Sequence, residues 1–151
     1  MGLFDIFKKG GKKIDLNEAD EINKEYLREN PEPANNEDAL MRKAASLISG
    51  QKFAEGIELY KQMANDFPAN KGTYLSQVGV GYFFLNDFNS AIDYYAQAYA
   101  NGFDKSMSDD NIWEACEAIY KQNKDKEILS KYLQLFPGGK HTKDANKLSG
   151  N

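Results

Sequence analysis

The amino-acid sequence predicts an all-α fold assembled from helical hairpins, and three observations carry that expectation. The chain resembles itself at a shift of 35 residues, the distance from Leu40 to Leu75. Within each copy the apolar residues recur at helical rather than strand spacing. Short polar breaks divide every copy into two stripes, as tightly paired antiparallel helices require. A repeat found at this scale decides architecture before local structure does, because a single hairpin cannot bury its apolar face alone.

Taken in order, residues 1–13 read as a flexible tail, apolar in Leu3, Phe4, Ile6 and Phe7 and basic in Lys8, Lys9, Lys12 and Lys13, with Gly10-Gly11 as a hinge. Residues 14–33 read as an acidic helix and linker: Leu16, Ala19, Ile22, Tyr26 and Leu27 keep helical spacing until Pro31-Glu32-Pro33 stops the helix. The repeat domain occupies 34–151. Its first hairpin, 37–68, carries Leu40, Ala44 and Leu47 on one helix and Phe53, Gly56, Ile57, Tyr60 and Met63 on the next. The second, 72–102, repeats the pattern with Leu75, Gly79, Tyr82, Phe88, Ala91, Ile92, Tyr95 and Ala98. The third, 106–137, offers Ile112, Cys116, Ile119, Ile128, Leu129, Tyr132 and Leu135. The turns fall at Gly50-Gln51-Lys52, Asn86-Asp87 and Asn123-Lys124-Asp125, and Pro68, Asn101-Gly102 and Pro137 close the hairpins. A helix over 140–149, with Ala145 and Leu148, caps the last apolar face.

These residue types in this order resemble the tetratricopeptide repeat. The likeness rests on Leu75, Gly79, Tyr82, Phe88, Ala91, Tyr95 and Ala98 in the second copy and on Phe53, Tyr60 and Pro68 in the first, and it covers roughly Glu37 to Pro137. Gly56 stands where the family usually has alanine, and Asp125 replaces the turn aromatic in the third copy. The resemblance implies a short right-handed α-α superhelix whose first helices line a concave groove. It places Met41, Ser76 and Trp113 in one row of that groove, Ala45, Val80 and Glu117 in a second, Ile48, Phe83 and Tyr120 in a third, and Ser49, Phe84 and Lys121 in a fourth. Some family members grip a partner's terminal carboxylate with Lys, Asn and Arg, but Met41, Ala45 and Gln77 hold those places here.

Composition narrows the function classes. The net charge of -4 is uneven: residues 1–13 hold four Lys against one Asp, residues 14–38 hold nine acids against two bases, and the remainder balances at thirteen of each. No basic face suits nucleic acid. The lone Cys116 excludes an internal disulfide and favours a reducing, cytoplasmic setting. The interrupted stretch Leu3–Phe7 is too short for a signal peptide or a membrane span.

Reactive constellations are not apparent, so neither enzymatic activity nor a cofactor or metal is expected. His141, the sole histidine, reads as a solvated loop or helix-start residue. Ser108-Asp109-Asp110 reads as the capping start of a helix rather than a metal site. Gly79-Val80-Gly81 lacks the third glycine and the lysine of a phosphate loop.

What remains is surface. The expected function is recognition of a protein or peptide through an aromatic groove of Met41, Ile48, Val80, Phe83, Phe84, Trp113, Glu117 and Tyr120, with Phe84 and Trp113 as exposed anchors. A second copy of the chain would fit the same groove. Two other readings stand beside it: an inhibitor or immunity-type protein acting through the acidic N-terminal region, and a peripheral adaptor held weakly at a membrane by residues 1–13.

Overall fold

The computed structural model describes residues 8–9, 12–13, 15–29 and 36–150. The readings of residues 1–7 as a flexible tail, of Gly10-Gly11 as a hinge and of Pro31-Glu32-Pro33 as a helix stop lie outside the described residues. Lys8–Lys9 (β1) and Lys12–Lys13 (β2) pair antiparallel, with Lys8 opposite Lys13 and Lys9 opposite Lys12. Otherwise the described residues are all-α. The helices are α1 (Leu16–Glu29), α2 (Glu37–Ser49), α3 (Phe53–Asp66), α4 (Lys71–Phe84), α5 (Phe88–Ala100), α6 (Lys105–Asn123), α7 (Glu127–Leu135) and α8 (Thr142–Ser149). A 3₁₀ turn, Pro68–Asn70, links α3 to α4.

Polar side chains set where the helices start. Asp15 accepts from the Glu18 amide at 2.9 Å, Asn36 from Ala39 at 2.7 Å, Asp87 from Ser90 at 3.1 Å and Asp104 from Met107 at 2.8 Å. The last of these corrects an expectation. Ser108-Asp109-Asp110 does not precede its helix: Asp104 offers the capping oxygen earlier, so those residues lie in the second turn of α6.

Every strong contact joins helices that are neighbours in the chain, from α1 on α2 through to α7 on α8. Their shared interior is the repeated stripe. Tyr60 and Tyr132 are fully buried and Tyr95 nearly so, and Ala44, Cys116, Ala91, Ile92 and Leu129 are likewise closed off from solvent. Each large apolar side chain removed from water contributes about 1.5–3 kcal/mol, so these repeated positions dominate the stability of the array. Small residues permit the approach of the helices: a Cβ on Gly79 would stand 2.5 Å from the Tyr95 ring of α5.

The first two turns inside the hairpins use residues with left-handed backbone, Gln51 at φ 62° and Asn86 at φ 60°, and Lys124 ends α6 in the same way at φ 59°. Asparagine tolerates that region and glutamine does not, while Gln51 is exposed on the surface. Gln51→Gly is therefore expected to raise stability by about 0.5–1 kcal/mol, read as a higher urea midpoint with an unchanged slope. An unchanged or lower midpoint would refute the strain.

α1 is docked on α2 by buried Ala19 and Asn23 and by Ser49 Oγ, which donates to Asp20 at 3.2 Å. The Arg42 guanidinium lies 4.0 Å from the Tyr26 ring centre. The Lys24 ammonium at 2.5 Å and the Ser49 hydroxyl hold the Asp20 carboxyl below its ordinary range, although its burial opposes them. α1 thus runs antiparallel to α2, its start at the C-terminal end of α2.

Candidate functional site

The eight residues expected to line one groove divide into three groups. Ile48, Val80 and Trp113 are buried, at 0%, 5% and 6% exposure, and present nothing to a partner. Met41, Phe83 and Phe84 are half-buried. Glu117 and Tyr120 are half-buried too but engaged: Glu117 pairs with Lys121 at 3.0 Å, and the Tyr120 hydroxyl donates to the Leu148 carbonyl at 3.2 Å.

The expectation that Trp113 is an exposed anchor is thereby corrected. Its indole is covered by the His141 ring, stacked at 5.3 Å with 6° between planes, and by the edge of Tyr132 at 5.1 Å. Trp113 lies on α6, where the chain leading into α8 passes over it and roofs it.

That roof is built from polar groups that sequence reasoning treated as separate. Asp109, 4% exposed, accepts from the Tyr132 hydroxyl at 2.5 Å and from the Lys140 amide at 2.9 Å. The Tyr132 hydroxyl in turn accepts from the His141 amide at 3.0 Å. Burial and the neighbouring Asp109 push the Tyr132 phenol well above its ordinary range, which keeps it a donor at all physiological pH. Asp110 takes the Lys140 ammonium at 2.7 Å and the His141 imidazole at 2.8 Å. His141 stands at the start of α8, as the helix-start reading has it, but its ring is not left to solvent: it is part of the clasp that seats α8. Gly139 is required beneath it, because a Cβ there would lie 2.7 Å from the Tyr132 oxygen.

The two most exposed aromatic residues, Tyr26 on α1 and Tyr99 on α5, stand apart, while a half-buried group of phenylalanines gathers around the C-terminus of α4. Phe84 stacks on Phe53 at 5.7 Å and meets the edge of Phe83 at 6.2 Å, and Phe83 packs on Phe88 at 5.1 Å. Leu85 extends this cluster into solvent at 47% exposure. The order of residues explains the gathering: α4 ends in Phe83-Phe84-Leu85, and the starts of α3 and α5 bring Phe53 and Phe88 against it. Leu85 was absent from the groove expected from sequence, since it falls after the helical stripe at the capping position, where spacing carries no information about exposure.

Other groups are closed to solvent. Gln77 is 2% exposed with both amide atoms unpaired, and Ser76 is fully enclosed. Burial drives the Cys116 thiol up to about 12 despite the opposing charge of Lys131. A thiol reagent at pH 8 is thus expected to react with Cys116 only at the rate of unfolding, and to react at once in denaturant; rapid reaction of the folded protein would contradict its burial. Among the described residues, no group of three His, Cys, Asp or Glu is placed to hold a metal ion, and no helix is long and apolar enough to cross a membrane.

These features define the class: an all-α protein of serially packed helices with a half-buried aromatic cluster, edged by the exposed Leu85, around the C-terminus of α4. No protein-family model matches the chain, and no curated protein matches it either.

Proposed function

We propose that the chain is an interaction module of tetratricopeptide-like helical hairpins, which binds an apolar segment of another protein and performs no chemistry of its own. The observation that carries this reading is the cluster of Phe53, Phe83 and Phe84 running out to the 47% exposed Leu85. Rigid aromatic side chains around an accessible aliphatic one make a hot spot for an apolar segment, because their burial costs little side-chain entropy. The repeat architecture is supported by matched burial at Tyr60, Tyr95 and Tyr132 and by packing of each helix on its chain neighbours, the pattern of a solenoid. A cytoplasmic setting accords with a single unpaired cysteine.

Capture from an extract of the cells that make the protein tests the reading. Wild type is compared with Phe84→Ser, Leu85→Ser, once circular dichroism shows both folded. The expected outcome is a partner retained by wild type and depleted at least about tenfold by the variant, the equivalent of one lost anchor. Equal retention would reject this surface.

One observation favours a second reading. Glu18, Glu21, Glu25 and Glu29 are all exposed on α1, whose other side is fixed to α2 by Ala19 and Asn23. Such a face suits a basic partner, as in an inhibitor or immunity-type protein. Binding that weakens steeply with salt would select it over the apolar site.

A further inference from the structure

We propose that Asn101-Gly102, the turn that closes α5, is a self-modification site at which the asparagine is converted to aspartate and isoaspartate, and that the packing of α4 against this corner controls the rate.

The chemistry belongs to the residue pair. Asn101-Gly102 is the one place in the chain where glycine follows asparagine. Glycine has no side chain to hinder attack by its own amide nitrogen, and its backbone reaches conformations that other residues avoid. Once that nitrogen has given its proton to hydroxide, it attacks Cγ of the asparagine. The Gly102 N–Cγ bond forms, the Cγ–Nδ2 bond breaks, and the side-chain nitrogen takes a proton from water and leaves as ammonia, so the hydroxide is returned. A water molecule then opens the resulting succinimide. Cleavage of the new N–Cγ bond gives aspartate; cleavage of the bond between the same nitrogen and the main-chain carbonyl carbon gives isoaspartate, whose main chain is longer by a methylene. Water is the only co-reactant, nothing is oxidised or reduced, and either product adds a negative charge. Both residues are exposed, so water and hydroxide reach them.

The fold holds each reacting atom out of place. Asn101 has ψ 24°, which turns the Gly102 nitrogen to the far side of Cα from the side chain it must attack. The amide that must leave is tied through Nδ2 to the Gln97 carbonyl at 2.8 Å. The nitrogen that must attack donates its proton to the Tyr99 carbonyl at 3.1 Å, and the next amide, Phe103, closes on the Ala98 carbonyl at 3.0 Å. α4 keeps this corner shut from inside. Gly72 is buried against it so closely that a Cβ would stand 2.7 Å from the Asn101 carbonyl oxygen and 2.9 Å from the Phe103 nitrogen. Ring closure therefore waits for the end of α5 to open, a local event with its own free energy. The gate works once. The added methylene of isoaspartate displaces the carbonyl that rests on Gly72, a contact with no slack, so a converted corner does not close again in the same form.

Peptide mapping by mass spectrometry of the full chain, held in mildly alkaline buffer, tests the proposal. In urea sufficient to unfold the chain, Asn101 is expected to convert ahead of every other asparagine. In the folded wild type it is expected to convert at least about tenfold more slowly, because the Nδ2 and Gly102 hydrogen bonds must both be lost before the ring can close. Gly72→Ala is expected to raise the folded-state rate several-fold. If that variant does not fold, wild type in a series of urea concentrations below the midpoint takes its place, and the rate should climb with urea. Conversion of folded wild type as fast as the unfolded chain would overturn the gate, as would a Gly72→Ala rate equal to that of wild type or a flat urea series. An unfolded chain that converts first at another asparagine would overturn the assignment of the site.

Discussion

Replacing Gly72 by alanine is expected to lower stability by about 3 kcal/mol, the upper range for overpacking a closed interior. A Cβ at position 72 would meet the Asn101 carbonyl oxygen at 2.7 Å, the Phe103 amide nitrogen at 2.9 Å and the Ala98 carbonyl oxygen at 3.1 Å. All three are backbone atoms at the end of α5, so no side chain can rotate away. Either α4 must shift, which disturbs Tyr74 and Leu75 in the core, or the turn at Asn101-Gly102 must open. Gly79→Ala provides the contrast, because there the obstacle is the Tyr95 ring and not backbone. Urea unfolding followed by circular dichroism measures both. A midpoint for Gly72→Ala within error of wild type would show that this corner has room.

The second large effect is expected at Asp109. Asp109→Ala removes the acceptor of the Tyr132 hydroxyl and of the Lys140 amide, stranding the first donor in a buried site and the second in a part-buried one. The cost is about 2–4 kcal/mol, since each stranded donor carries its desolvation penalty without its bond. The damage has a local signature. The Tyr132 hydroxyl also receives the His141 amide, and the His141 ring roofs Trp113, so loosening this clasp uncovers the only tryptophan. Trp113 emission should shift to the red before global unfolding begins. Tyr132→Phe should cost less, because Asp109 keeps the Lys140 amide. Loss of stability without any change in the Trp113 environment would mean that Asp109 acts elsewhere than on the α8 clasp.

The contrast between these two sites shows what was legible in the sequence. Helix existence was, because burial of a stripe is an average over many positions: Tyr60, Ile92, Leu129 and their repeat mates are all enclosed where spacing put them. Exposure at one position was not, because it depends on which element ends up above it. Ile48 is closed by Gly56 and Gly81 around its side chain, an approach that a row diagram cannot express. Trp113 is closed by a histidine 28 residues later, the span from 113 to 141. Asp109 and Asp110 looked like caps because acids before an apolar stripe usually are, yet Asp104 took that office one turn earlier and freed them for tertiary bonds. Of the expected anchors, Phe84 remains accessible in part, and its neighbours in the cluster, Phe53 and Leu85, come from a helix start and a capping position rather than from the groove rows.

The central proposal is that recognition occurs at the aromatic cluster around the C-terminus of α4. Hydrogen–deuterium exchange of the protein alone and in complex with its captured partner tests it most directly. The account predicts protection concentrated at residues 81–88 and at the start of α3 near Phe53, with α7 and α8 unchanged. Protection confined to α1, or to the α6–α8 end, with residues 81–88 exchanging as in the free protein, would contradict it.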